Sequence, residues 1–532
     1  MGKPWRPGIK KQIPTRLGVS RAAHLGLMTV LMITLAGCNL PALSFPAPFG
    51  SPIEAVVQDT PRPTVPPSTA ILIPTAGPVV ETAVVPTPTL TPTRAPPYLY
   101  TTQSGDYLSN LAVRFGVAVS DIQTTGNVPR EGLINSGQLL VIPRVLGQTT
   151  PATLILPDSE VIFSPTALDL DFKTFVKESG GYLNSYTQYL GNTTRSGAEV
   201  VLIVAGENSI NPRVLLALLE YESHWVLGQP GNMAQSEYPL GYIDVSYRGL
   251  YAQLNWAVRQ LMLGYYGWRA GTLTQLTFPD QSKLRLAPEL NAGSVAVSYF
   301  FSRTLNQREW SSVLYANAGF PVVYDKLFGS PWVRAQALEP FFPPNLVQPP
   351  LELPFYFNQV WSYTGGPHRA WGVDSPFAAL DFAPGSTEAG CIPSQAWALA
   401  AAPGLVLRSD SGVVLVDLDG DGKEQTGWVL MYLHIATDKR VPLGTRLALN
   451  DPIGHPSCEG GLATGTHFHF ARKYNGEWIL ADGPLPFTLS GWRAHAGAKE
   501  YDGTLTKNDK TVTACTCGSN DTNIIRLLAP GP

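Results

Sequence analysis

The chain has 532 residues, a net charge of −3 and only 14% charged residues, set against 50 glycines and 48 prolines. At roughly 150 residues per domain, that length suggests three or four modules. The lack of a basic excess excludes an ordinary nucleic-acid binder, and the Gly/Pro-rich balance suits a loop-rich, β-containing secreted protein joined by linkers. Of the five cysteines, one belongs to the N-terminal segment described next, and the other four can pair in an oxidising compartment.

Residues 1–24 carry Lys3, Arg6, Lys10, Lys11, Arg16 and Arg21 and no acid, and the apolar run Leu25–Ala36 follows. That run falls short of the ~20 residues a membrane-spanning helix needs. It ends in Leu35-Ala36-Gly37-Cys38, which resembles a bacterial lipobox. The expectation is a lipoprotein signal peptide over 1–37 and acylation of Cys38, so that the exported chain is lipid-anchored to the bacterial cell membrane and faces the cell wall. Each buried methylene contributes ~0.8 kcal/mol, so two or three acyl chains anchor firmly. Residues 38–97 are a Pro/Thr-rich linker, as in PTPTLTPTRAPP. It has no periodic apolar face with which to build a core. Its prolines favour an extended chain that holds the following modules away from the membrane.

Over 98–145 a short strand ends at Gly105-Asp106. Leu108, Leu111, Ala112 and Phe115 then recur at helical spacing, and Gly116 closes the helix. A second helical turn begins near Ser120-Asp121, and Gln138 to Pro143 reads as a closing strand. The stretch resembles a LysM domain, from its SGD opening through LxxLAxRFGV to GQxLxIP. The resemblance implies a βααβ module that binds N-acetylglucosamine-containing glycan. It places the groove between Ser104, Gly105, Asp106 and Tyr107 on one loop and Pro129, Leu133 and Ile134 on another.

Residues 165–345 carry helical patterns and many aromatics. Asn211 suits a helix N-cap and Pro212 the first helical position. Glu222 shares a face with Leu215, Leu218, Leu219 and Trp225. A carboxyl on an apolar face should have a raised pKa, as a general acid for glycosidic cleavage requires. The run NPxxLLALLEYES resembles the catalytic-helix signature of lysozyme-like lytic transglycosylases, which implies a mainly helical lysozyme-like domain with Glu222 as acid. A scaffold that only binds glycan is the alternative.

Residues 353–500 carry the densest chemistry. In Thr466-His467-Phe468-His469-Phe470, strand alternation sends both imidazoles to one side and both phenyl rings to the other. His434 ends the strand Met431-Tyr432-Leu433, on the opposite face from Leu433. His368 lies in SYTGGPHRAWG, and Asp381 in the strand ALDFAP. Two His and one carboxylate, with a coordination position left open for water, fit a zinc hydrolase. The remaining two His can handle protons and the oxyanion.

These elements, with GxxLxLNDPIGHPSC, resemble the LytM/lysostaphin-type zinc endopeptidases, and within them the staphylolytic/β-lytic branch, in which His and Asp stand thirteen residues apart as His368 and Asp381 do here. The resemblance implies an antiparallel β-sheet domain holding one Zn2+ through His368, Asp381 and His469, with His434 and His467 as the catalytic pair. Asp374, in the loop WGVDSPF, is the competing carboxylate. Cys391 and Cys458 border the site and are disulfide candidates. A bridge between Cys515 and Cys517 closes a strained small ring, and a CxC metal pair is its alternative. Asp417, Asp419 and Asp421 resemble the start of an EF-hand loop, but position twelve is Trp428. They read as a hairpin turn or a weak Ca2+ site. Residues 501–532 read as a C-terminal tail.

Together the resemblances imply a multidomain α+β peptidoglycan hydrolase: a zinc metalloendopeptidase cutting wall cross-bridges or stem peptides, targeted to glycan by LysM. Its partners are peptidoglycan (glycan and peptide) and the membrane, with no nucleic acid. The alternatives are a non-catalytic wall-binding scaffold that recruits other hydrolases, and a bifunctional enzyme that also cleaves glycan through Glu222.

Overall fold

A computed structural model describes residues 95–528, apart from 373, 386–389 and 518. Cys38, the signal segment and nearly all of the linker lie outside the described residues. No helix among the described residues is long and apolar enough to cross a membrane.

The LysM segment packs strand β1 (Tyr98–Thr101) and helix α1 (Leu108–Phe115) against strand β2 (Leu139–Ile142). Tyr98 and Tyr100 both meet the Phe115 ring edge-on at 5.2 Å. Gly116 (φ 68°) caps α1 in the left-handed region. The second helical turn is a single 3₁₀ turn, Val119–Asp121.

The middle segment is helical. Its main elements are α2 (Gly197–Asn208), α3 (Pro212–Ser223), α4 (Leu250–Ala270) and α5 (Ala292–Ser302). Asn211 caps α3 by accepting from the Arg213 N–H, and Pro212 takes the first turn, where its missing N–H costs nothing. Trp225, fully buried just beyond α3, packs between Tyr182 and Tyr186.

The C-terminal segment is built on a nine-stranded sheet. Its strands are β3 (Val360–Arg369), β4 (Phe377–Pro384), β5 (Gly404–Asp410), β6 (Val413–Asp417), β7 (Trp428–Leu433) and β8 (Phe468–Tyr474), with short edge strands. The antiparallel order runs β5-β6-β7-β8-β4-β3, and Asn523–Ile525 pairs on the outside of β3. Alternation divides the sheet into two cores. Leu380, Phe382, Val414, Leu430, Tyr432, Phe468 and Phe470 fill the core on one side. Val413, Leu415, Val429, Met431, Leu433 and Ala471 join the same buried cluster as Val200 and Val204 of α2 and Leu254 of α4. The middle helices therefore cover part of one sheet face.

Residues 501–528 do not form a detached tail. Gly503–Lys507 and Lys510–Thr513 extend a four-stranded sheet, and Ile524 is buried at the edge of the large sheet. The period-2 apolar positions Leu505 and Val512 supply the reason, since both are buried.

Phe470 is fully buried, 4.6 Å from the Tyr432 ring and 5.2 Å from Phe487. Phe470→Ala should destabilise the C-terminal segment by about 3–5 kcal/mol, measured as a lowered urea midpoint with an unchanged slope.

Candidate active site

Strand pairing brings the metal-ligand candidates together. Asp381 on β4 pairs directly with His469 on β8, and His469 pairs with Leu433 on β7. Cross-strand partners share a face, so Asp381 and His469 project on the face opposite Phe468 and Phe470. His368 comes from β3, whose register against β4 shifts between Gly365 and His368. Such bulges re-aim a side chain. Gly365 permits the closeness: a Cβ there would lie 2.6 Å from Asp381 Oδ2.

His368 Nε2 lies 2.8 Å from His469 Nδ1. Asp381 Oδ1 is 3.2 Å from the first nitrogen and 3.4 Å from the second. The opposite ring nitrogens face carbonyl oxygens, His368 Nδ1 at 2.8 Å from Gly366 O and His469 Nε2 at 2.9 Å from Ala370 O. A carbonyl only accepts, so those nitrogens carry the protons. The two facing nitrogens therefore present lone pairs to each other and to a carboxylate. Asp381 Oδ1 is buried with no hydrogen-bond partner. This arrangement is repulsive as it stands and fits a divalent cation shared by all three atoms.

His434 and His467 stand beside this group, their rings 4.6 Å apart. His467 precedes β8, and its Nε2 lies 3.8 Å from Asp381 Oδ2. His434 Nδ1–H donates to Glu459 O at 2.8 Å, and His467 Nδ1–H donates to Gly465 O at 2.7 Å. Both Nε2 atoms are thereby left for chemistry. Simple alternation sends His434 away from the face of Leu433 and the ligands. The backbone instead turns left-handed at His434 (φ 65°) and returns the ring to within 6.3 Å of His469. A non-glycine residue in that region stores strain. Burial first, and then neighbouring His467, push the His434 imidazole down to about 4.

The remaining candidates separate. Asp374 is engaged by Arg259 and by Arg369 and lies outside the cluster of His368, Asp381 and His469. Cys391 and Cys458 are bonded, and Cys515 and Cys517 are placed as a second bonded pair. Asp417, Asp419 and Asp421 bring carboxylate oxygens within 4.8 Å of one another. Asp417 already accepts from the backbone N–H groups of Asp419, Gly420 and Gly422, which is the hairpin-turn reading.

In the LysM loops, Asp106 accepts from Tyr100, Arg114 and the Gln103 N–H, so its carboxylate is satisfied within the module. Ser104, Gly105 and Ile134 are buried, Tyr107 and Leu133 half-buried, and Pro129 exposed. In the middle segment, Glu220 caps the end of α3 by accepting from Val226 N and Leu227 N. Glu222 is half-buried, and burial pushes its carboxyl up to about 7.

Tyr501 has no motif to announce it, yet its ring stacks on His368 at 4.3 Å and its carbonyl accepts from the Gly366 N–H.

Asp381→Ala should lose stoichiometric zinc and Asp374→Ala should keep it, measured by elemental mass spectrometry of the purified full chain. Glu222 has its own pH signature. The unfolded chain releases this proton near 4.5, whereas the folded chain holds it to about 7. Its stabilising contribution is complete below pH 4.5 and lost as pH rises through 7. Glu222→Gln should flatten that part of the stability profile in denaturant titrations across pH 4–8.

Residues 154–341 match the family described as LasA, N-terminal domain, and residues 100–143 match the LysM domain. Protease LasA of Pseudomonas aeruginosa is 26% identical over 385 residues, covering 67% of this chain and 82% of that protein. Beta-lytic metalloendopeptidase of Lysobacter enzymogenes is 30% identical over 155 residues, covering 29% of this chain and 83% of that protein. The solved structure of the deep-sea M23 metalloprotease pseudoalterin is 23% identical, with a TM-score of 0.28, and is matched over 34% of this chain and 100% of its own. Through its C-terminal segment, the chain belongs to the β-lytic metalloendopeptidase family.

Proposed function

We propose that the chain is a zinc-dependent endopeptidase of the bacterial cell wall, hydrolysing peptide bonds in cross-bridges or stem peptides while its LysM module contacts glycan. The observation that carries this reading is the convergence of two imidazole lone pairs and an unpartnered carboxylate oxygen beside two further imidazoles. His368 Nε2, Asp381 and His469 Nδ1 would hold the metal. When bound, zinc polarises a carbonyl and acidifies water. Carbonyl partners on the far side of each ligand imidazole keep its tautomer and angle. His467 and His434, each fixed through Nδ1, offer Nε2 to the reacting groups. One takes the proton from attacking water and passes it to the leaving amine, and the other faces the developing oxyanion.

Further parts of the reading concern targeting. Acylation of Cys38 would tether the exported chain to the membrane, with the proline-rich linker setting its reach. The Asp417, Asp419 and Asp421 loop would take calcium only weakly, since no carboxylate stands at Trp428. Glycan cleavage by the middle segment is a second reading, favoured by the raised pKa of the Glu222 carboxyl.

His467→Ala and His434→Ala should each lower hydrolysis of purified peptidoglycan by about 10²–10⁴-fold, with zinc content and wall sedimentation retained. Mass spectrometry of the released fragments identifies the bond. Release of no fragments by the unaltered chain would favour the scaffold alternative, and cut glycan ends that vanish in Glu222→Gln would support the second reading.

A further inference from the structure

The LysM loops named as a glycan groove are largely covered, with Pro129 the one exposed residue of the seven. Arg269, at the C-terminal end of α4, donates from its guanidinium to Ser104 O and pairs with Asp158 at 2.9 Å and Glu477 at 3.1 Å. A Cβ placed on Gly105 would lie 1.8 Å from Arg269 Nη1. Space too small for a methyl group cannot admit a sugar ring. The cavity left between the module and the helices is about 10 Å³, room for one water at most. The second loop is held as well. Leu133 packs against the Phe341 and Phe342 cluster, and Asn345 N donates to the Asn135 side chain at 2.9 Å.

Beside these loops, α1 docks through polar groups. Asn110 donates to Trp268 O at 2.9 Å, and Arg114 donates to Leu290 O at 2.9 Å while lying 4.5 Å over the Trp268 ring. At the rim, Arg285 donates to Val113 O and Arg114 O, each at 2.9 Å. The contact is dominated by hydrogen bonds, most of which water can replace when the surfaces part. Interfaces of this polar kind within one chain resemble transient ones.

We propose that the chain masks its own LysM groove: docking of the module on the middle helices through Arg269 and glycan binding by the same loops are mutually exclusive. The module is a latch that glycan opens. The inference rests on the glycan-binding reading of these loops. Masking lowers the apparent glycan affinity by the fraction of chains that are undocked, so free oligosaccharide should bind weakly, and dense wall glycan should bind by shifting the equilibrium.

The test uses the full chain with N-acetylglucosamine hexamer as probe, reading affinity by calorimetry and docking by amide hydrogen exchange at 103–107 and 289–290. Arg269→Ala should bind the hexamer about tenfold more tightly than the unaltered chain. In the unaltered chain, saturating hexamer should raise exchange at both segments. Arg285→Ala, at the rim and outside both loops, provides a milder release should Arg269→Ala fail to fold, with a smaller shift in the same direction. Equal affinities in all three chains, with exchange unmoved by hexamer, would overturn the masking. A variant that exchanges freely at both segments yet binds no hexamer overturns the glycan reading itself, and the masking with it.

Discussion

Lone-pair crowding on one face of a sheet is the constraint around which the C-terminal half is arranged. Two neutral imidazoles and a carboxylate repel one another at these separations, and only a rigid frame keeps them there. Direct pairing of Asp381 with His469 supplies the first part of that frame. The slipped register before His368 supplies the second, and the missing side chain at Gly365 the third. Carbonyls of Gly366 and Ala370 then fix which nitrogen of each ring stays unprotonated. The backbone thus decides the protonation pattern that a cation needs.

Much of this was legible in the chain itself, because strand alternation is a local rule. The THFHF run announces paired imidazoles over an apolar face, and ALDFAP announces a carboxylate on a strand. What alternation could not show is where it breaks. The left-handed turn at His434 reverses its direction, and nothing in the residue type at that position signals it. Tyr501 reaches His368 through tertiary packing alone. The strands after residue 500 are short and polar on one side, so they read as a tail until their apolar positions are seen paired.

The middle helices illustrate a different limit. Their N-caps and apolar periodicity are plain in the sequence, and Asn211 and Pro212 do what their chemistry suggests. Which surface those helices would cover is a long-range question. Val413, Leu415 and Met431 look like ordinary strand residues, and only the folded chain joins them to α2 and α4. Arg269 is similar. Its partners Ser104, Asp158 and Glu477 come from three distant stretches, and a lone arginine at the end of a helix carries no mark of that convergence.

The bond between Cys391 and Cys458 spans 67 residues. Closing a loop of that length removes about 4 kcal/mol of disorder from the unfolded chain in the chain-entropy account. Cys458 also immediately precedes Glu459, whose carbonyl orients His434. Oxidation of this pair therefore does more than add stability: it fixes the acceptor that aims an imidazole beside the metal-ligand group. A newly made chain in a thiol-rich compartment lacks that brace until the two cysteines join.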